Sequence, residues 1–440
     1  MKDIVLAPNN ESHIFVFADS DVEKEIKEYF SFEIPGAKFM KQTWRKHWNG
    51  KISVFNLVTK TFPKGLLPRI ISWAENHNYR IKNKIPTTDS LWTESKTYEL
   101  LEKYPVVDSI DIRDYQIRAI EWALQKQRCV LISPTASGKS LVLYYIVRAR
   151  MELGPVLLIV PNVSLVAQMK SDWKDYGWTD VDDYVHQITA GVDKNSKKPV
   201  VISTWQSLTK QDPKWFKKYN SLIIDECHLV TGKSLQTIAE KMVDCSFRIG
   251  VTGTLDDAKA HRLVVEGALG KGFKAAKTVD LQAKGYLSPI LIQGHYLNYS
   301  DHDKFLFHQG DTSYQNELDW IVNHPKRMDW LIDFVGKLEG NTLLLFNFIE
   351  KHGQIIHEKL KDKYGKIRPV HYVVGAVDGS DREDIRKIVD SDEIVILEFL
   401  EKTIKCTLST NVLLANGTTK LAADLTVDDD IDDIWIKNKY

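Results

Sequence analysis

The chain has 440 residues, 43% of them hydrophobic, and its 59 basic and 59 acidic side chains give a formal net charge of zero. This length suggests about three domains, and no apolar run approaches the ~20 residues of a membrane span. Zero net charge excludes a globally polycationic binder, so any affinity for nucleic acid must come from local patches. The four cysteines (Cys129, Cys227, Cys245 and Cys406) are scattered. They match neither a metal spacing nor a disulfide framework, and the expectation is a soluble protein of a reducing compartment, without a membrane partner.

Residues 1–88 read as a small α/β module. His13-Ile14-Phe15-Val16-Phe17 alternates as a strand should, and residues 21–30 carry the charge mix of a short helix behind Asp19 or Ser20. Residues 38–84 hold eleven Lys or Arg and one acid, Glu75, interleaved with aromatics. The densest part contains Trp44, Arg45, Lys46, Trp48 and Lys51. Basic side chains neutralise phosphates and exposed aromatics stack on bases, so these five are candidate nucleic-acid contacts, although most aromatics of the stretch suit a core. Residues 89–105 are expected to form a linker, opened by a polar, proline-marked stretch.

From 106 to 288 one pattern repeats: a short apolar strand, a polar cluster at its end, then a helical segment. Cys129-Val130-Leu131-Ile132 leads into Ser133-Pro134-Thr135-Ala136-Ser137-Gly138-Lys139-Ser140. A strand, a small-residue loop ending Gly-Lys-Ser and a helix is the arrangement that cradles phosphates on backbone N–H groups. Lys139 supplies a point charge for β/γ-phosphates and Ser140 a hydroxyl for Mg²⁺, although Ser133 stands where a leading glycine is usual. Four more strands end in Pro161-Asn162, Thr204-Trp205-Gln206, Asp225-Glu226-Cys227-His228 and Thr252-Gly253-Thr254. Continuous apolar strands alternating with helices predict a parallel sheet covered on both faces, with ligands at the carboxyl ends of its strands. Asp225 then suits Mg²⁺, and Glu226 suits orienting and deprotonating an attacking water.

This ordered set resembles superfamily 2 helicases and, through the Trp-Gln pair, the Asp-Glu-Cys-His box and the basic N-terminal module, the phage UvsW family. The resemblance implies two RecA-like lobes of α/β class, a P-loop NTPase fold with a small accessory domain, ATP and Mg²⁺ as cofactors, and action on branched DNA or single-strand/duplex junctions in the cytoplasm, the host's if phage-encoded. It implies adenine contact by Gln116, phosphate contact by Thr135, Ala136, Ser137, Gly138, Lys139 and Ser140, and coupling of hydrolysis to lobe movement by His228, Thr252 and Thr254. It also implies DNA contact by Pro161, Asn162, Thr204 and Gln206. A second lobe is expected over 289–405, with strands at 341–346, 373–377 and 393–397. The motifs that should come after them, including an arginine finger worth ~10³–10⁵ in rate, are not found, so this chain alone is expected to turn ATP over weakly. The alternatives are a nucleotide-gated nucleic-acid-binding protein without productive turnover and a truncated restriction-type translocase subunit.

Residues 406–440 resemble the first block of an intein, with a leading Cys406, a short strand and an Asn416-Gly417 turn. The resemblance implies that Cys406 attacks the Lys405 carbonyl, and that a second polypeptide carries the other intein half and the missing helicase motifs. An ordinary acidic tail and a truncated gene are the alternatives.

Overall fold

The computed structural model describes residues 2–33, 50–86, 90–189, 191–229, 232–255, 259–288, 290–310, 313–374, 395–399 and 419–421. They divide into two compact units, 1–287 and 288–440.

The first unit begins with the module expected from the alternating pattern. Strands β1 (Asp3–Pro8) and β2 (His13–Phe17) turn Ile4, Leu6, Ile14 and Val16 inward, fully buried. Strands β3 (Ser31–Glu33) and β4 (Lys51–Ser53) form a separate antiparallel pair, while β5 (Thr61–Pro63) and β6 (Arg80–Asn83) complete a sheet ordered β5-β2-β1-β6. The helix Ser20–Tyr29 starts behind Asp19, as its charge pattern predicts, and buries Val22 and Ile26. The helix Leu67–Asn76 buries Ile70, Trp73 and Ala74. Phe55, Phe62 and Trp73 are core residues here, each contributing on the order of 1.5–3 kcal/mol by leaving water.

Buried polar contacts fix this module to the rest of the first unit. The Glu11 carboxylate accepts from Lys64 at 2.7 Å and from Arg128 at 3.2 Å. Ser12 Oγ donates to the Ala239 carbonyl and accepts from Arg248 at 2.9 Å. Glu266, 1% exposed, takes Arg69 at 2.5 Å and Arg262 at 3.0 Å. Gly65 lies so close that a Cβ there would sit 2.1 Å from the Glu266 carbonyl oxygen. The segment expected as a linker also differs from expectation: within it Glu94–Lys103 is a helix capped by Thr93, and its Leu100 packs into the core of the large sheet. The polar composition of that stretch reflects the exposed face of an amphipathic helix, which proline at 86 obscures in a reading by composition.

The large sheet is parallel throughout. Its strands are β7 (Arg128–Ile132), β8 (Val156–Val160), β9 (Val185–Ile188), β10 (Val200–Thr204), β11 (Ser221–Ile224), β12 (Phe247–Thr252) and β13 (Gly272–Lys274). They lie in the order β13-β7-β12-β11-β8-β10-β9. All five strands read from the sequence are present. The two outermost, β9 and β13, lack a continuous apolar run because an edge strand is covered less. The helix Lys139–Met151 is buried on nearly every side, so its hydrophobicity is not confined to one stripe.

The second unit holds β14 (Leu291–Gln293), β15 (Thr342–Phe346), β16 (Val370–Val373), β17 (Val395–Phe399) and β18 (Thr419–Leu421). Strands β15, β17 and β16 form a parallel sheet in that order, with the helices Pro325–Gly336 and Ile355–Tyr364 supplying Leu331, Val335, Ile356 and Leu360 to its core. The strand expected at 373–377 is observed at Val370–Val373, while 375–377 lies outside the described residues. From the expected tail, β18 pairs antiparallel with β14. Among the described residues no helix is long and apolar enough to cross a membrane.

Candidate nucleotide site

Strand order brings the polar clusters together. The carboxyl ends of β7, β12, β11 and β8 are adjacent, and they carry the loop 133–140, Thr252, Asp225-Glu226 and Pro161-Asn162 respectively. Ala136 (φ 61°) and Gly138 (φ 78°) are both left-handed, which curls the loop so that backbone N–H groups can converge on an anion at the positive end of the helix Lys139–Met151. Gly138 is required twice over: its φ suits glycine, and a Cβ would lie 2.2 Å from Gln116 Nε2. Ser133 has no left-handed φ, so the glycine usual at this position is not needed. Its buried hydroxyl instead donates to Ser137 Oγ at 2.7 Å, and its N–H donates to the Thr252 carbonyl.

Gln116 is buried and engaged at both ends of its amide. Its Oε1 accepts from the Arg113 N–H at 2.9 Å, and its Nε2 donates to the Ser137 carbonyl at 2.9 Å. Tyr115, next to Gln116 in the motif-like stretch Arg113-Asp114-Tyr115-Gln116, donates to the same carbonyl at 2.7 Å and accepts from Arg113 Nη1. The Arg113 guanidinium sits 4.2 Å from the centre of the Tyr286 ring. The segment expected to read adenine is thus tied to the loop 133–140 by Tyr115 and Gln116.

Lys139 Nζ lies 3.1 Å from Glu226 Oε1, and Glu226 Oε2 lies 3.3 Å from His228 Nδ1 and 3.4 Å from the Gly253 N–H. Thr252 Oγ1 donates its one proton to the Thr254 carbonyl at 2.7 Å, so at 2.6 Å from His228 Nδ1 it accepts, and Nδ1 carries the hydrogen. Lys139, Glu226, His228, Thr252 and Thr254 therefore form one continuous chain of contacts. Glu226 adopts φ 44°, a conformation that disfavours a branched or long side chain and that collects at functional sites.

The two acids are driven apart. Burial pushes Asp225 up to about 6, helped by the neighbouring Glu226 charge. Burial acts on Glu226 in the same sense, but the His228 hydrogen bond and the Lys139 charge outweigh it and draw Glu226 down to about 2. Asp225 Oδ1 accepts from the Glu226 N–H at 2.9 Å. A buried carboxylate and a serine hydroxyl are oxygen donors of the kind that suit a hard divalent ion such as Mg²⁺. Ser140 Oγ here shares a hydrogen bond of 2.6 Å with the Tyr176 hydroxyl. No signal in the sequence pointed to Tyr176, which is distant in the chain.

The expected DNA contacts fare unevenly. Asn162 is exposed, with its side chain capping the helix Val163–Asp175 by accepting from Leu165 N–H at 2.9 Å. Pro161 is half-buried and Gln206 exposed, both at strand ends. Thr204 is buried and turns its hydroxyl to Ser207 at 3.1 Å, so it shapes the turn from below. Lys51 is exposed on β4. Trp44, Arg45, Lys46, Trp48 and Cys406 lie outside the described residues.

Residues 3–83 match the family model described as DNA helicase UvsW, N-terminal, and residues 109–257 match that described as Type III restriction enzyme, res subunit. The ATP-dependent DNA helicase uvsW of Enterobacteria phage T4 is 30% identical over 399 residues, spanning 88% of this chain and 78% of the relative. The chain belongs to the UvsW family of superfamily 2 helicases. A crystal structure of T4 UvsW superposes with a TM-score of 0.59 at 27% identity, covering 90% of this chain and 80% of that one. A second T4 UvsW structure gives 0.57 at 30% identity over 62% and 99%. The DNA 3′-5′ translocase XPB2 of Sulfurisphaera tokodaii is 27% identical over 199 residues, 44% of this chain and 42% of the relative. The UvsW-family match at both the module and the large sheet separates this chain from the restriction subunits, whose model meets only the sheet.

Proposed function

We propose that the chain is an ATP-dependent DNA helicase or annealing-type translocase acting on branched DNA. The observation that carries this is the contact chain from Lys139 through Glu226 and His228 to Thr252, set at the strand ends of a UvsW-family sheet. Lys139 holds Glu226 until nucleotide phosphates compete for the ammonium. Released, Glu226 loses the charge that depresses it and becomes a better proton acceptor for a water at Oε1. Bound Mg²⁺ would supply charge neutralisation between the β- and γ-phosphates, held by Asp225 and Ser140. His228 passes the change in Glu226 to Thr252 and Thr254.

ATP turnover with and without a forked oligonucleotide tests the reading, with Lys139→Ala as control. The expected result is DNA-stimulated turnover that the variant lacks. Turnover indifferent to DNA, or kept by Lys139→Ala, would overturn it. The weak turnover expected of this chain alone belongs to the same proposal, as does Cys406 as an acyl-shift nucleophile. Incubation with a small thiol should release a fragment ending at Lys405 by intact mass. An unchanged mass would remove the splicing role.

A further inference from the structure

Residues 194–218 contain seven lysines and one acid, Asp212, in a chain whose net charge is zero. Hydrogen bonds tie part of this segment to the turn after β10, while Lys198 donates instead to the Asp182 and Val185 carbonyls. Lys194 Nζ donates to the Ser207 carbonyl at 3.0 Å, and Trp215 Nε1 donates to the Lys194 carbonyl at 3.1 Å. Lys218 Nζ donates to the Ser196 carbonyl at 3.2 Å. Lys241, from the helix Gly232–Lys241, joins by donating to the Thr209 and Gln211 carbonyls at 2.6 and 2.8 Å.

The partners decide what this face can do. Lys194, Lys218 and Lys241 are anchored on backbone carbonyls, and none of these lysines, nor Lys197, Lys210, Lys214 or Lys217, is in an ion pair among the described residues. Elsewhere in the same lobe the pattern differs, since Lys170 and Lys174 are both paired with Asp182. Asp212 spends its carboxylate on the Lys214 N–H at 2.8 Å. Lys197, Lys210, Lys214 and Lys217 are exposed. The face thus keeps its positive charge uncompensated. Among the described residues it offers no exposed aromatic: Trp205 and Trp215 are half-buried, the Trp215 N–H is committed, and Tyr219 is 2% exposed. A surface with phosphate-seeking ammonium groups and no exposed aromatic suits a duplex, whose bases are already stacked, better than a single strand.

We propose that this lysine face is a docking surface for the phosphate backbone of a double-stranded arm of the DNA substrate, lying beside the strand-end contacts at Gln206. The proposal rests on the helicase reading and adds where the duplex part of a branch is held. Contacts of this kind are independent of sequence and strongly dependent on salt.

The test uses the full chain and the double variant Lys214→Ala/Lys217→Ala, with Lys214→Arg/Lys217→Arg as the charge-keeping control. Binding to a blunt duplex, a fork and a single strand is followed by fluorescence anisotropy across salt concentrations. The expected result is a several-fold or greater loss of duplex and fork affinity, and a slope of log K against log salt shallower by about 2. Single-strand affinity and ATP affinity stay unchanged, and the Arg variant restores binding. An unchanged duplex slope overturns the proposal alone. Equal losses on duplex and single strand overturn it by placing the lysines on the single-strand path. Wild-type protein that binds none of the three DNAs overturns the helicase reading beneath it.

Discussion

At the loop 133–140, Lys139 and Glu226 meet at 3.1 Å, and the role proposed for each requires letting go of the other. At the seam between the N-terminal module and the large sheet, Glu11 holds Lys64 and Arg128 together, and Arg248 donates to Ser12 and to three backbone carbonyls. Both regions place charge in poorly hydrated surroundings. They differ in what holds the charge. The seam meets its charges with several contacts inside the protein, although Arg248 Nη1 is buried without a hydrogen-bond partner, so its charges hold a docking geometry. The loop leaves left-handed backbone, a raised carboxylate and a borrowed ion pair, which is an arrangement waiting for a ligand.

Arg248→Ala should show the largest structural effect, because it strips four hydrogen bonds from fully buried partners. A loss of several kcal/mol is expected, since each buried acceptor left unpaired costs about 1–3 kcal/mol, read as a lowered denaturation midpoint, with ATP affinity kept while the chain is folded. A midpoint within a degree of wild type would show that the seam is not a structural device.

Asp225→Asn should act in the opposite direction on stability. Because burial lifts Asp225 from 3.8 to about 6, the folded chain binds more protons than the unfolded chain between those values. Its stability therefore falls as pH rises through that window and stays lowered above it. Asparagine keeps the acceptor for the Glu226 N–H without the charge. The variant should gain about 1–3 kcal/mol at pH 7–8 and nothing near pH 4, while losing ATP turnover. Denaturant melts at the two pH values check this, and an equal gain at both would refute the electrostatic cause.

Ser133→Ala is the small perturbation. Removing the hydroxyl that donates to Ser137 should cost about 1 kcal/mol and raise KM for ATP a few-fold, with kcat little changed. A kcat loss as large as that of Lys139→Ala would give Ser133 a chemical role.

Much of the loop side of this contrast was legible in the sequence. Buried strands announce themselves as continuous apolar runs, and the polar residues that end them mark the crevice. The spacing from Gly138 to Ser140 and the pair Asp225-Glu226 needed only that strand pattern to find their place. The seam was not legible. Glu11, Ser12, Arg69, Arg248 and Glu266 are isolated polar residues in ordinary contexts, joined only by contacts spanning up to 236 positions. Tyr176 at Ser140 and Tyr286 at Arg113 escaped for the same reason. Thr204 shows the converse. Its position at a strand end was read correctly, but the side chain is buried beneath the surface it was expected to present.

The central claim is that Glu226 and nucleotide phosphates compete for Lys139. The most direct measurement compares ATP affinity and DNA-stimulated turnover in wild type and Glu226→Gln. If the two compete, the variant binds ATP at least as tightly as wild type, because Lys139 is no longer held, while turnover falls by about 10²–10⁴. Loss of ATP binding together with turnover would contradict the claim, since Glu226 would then build the cradle it is proposed to guard.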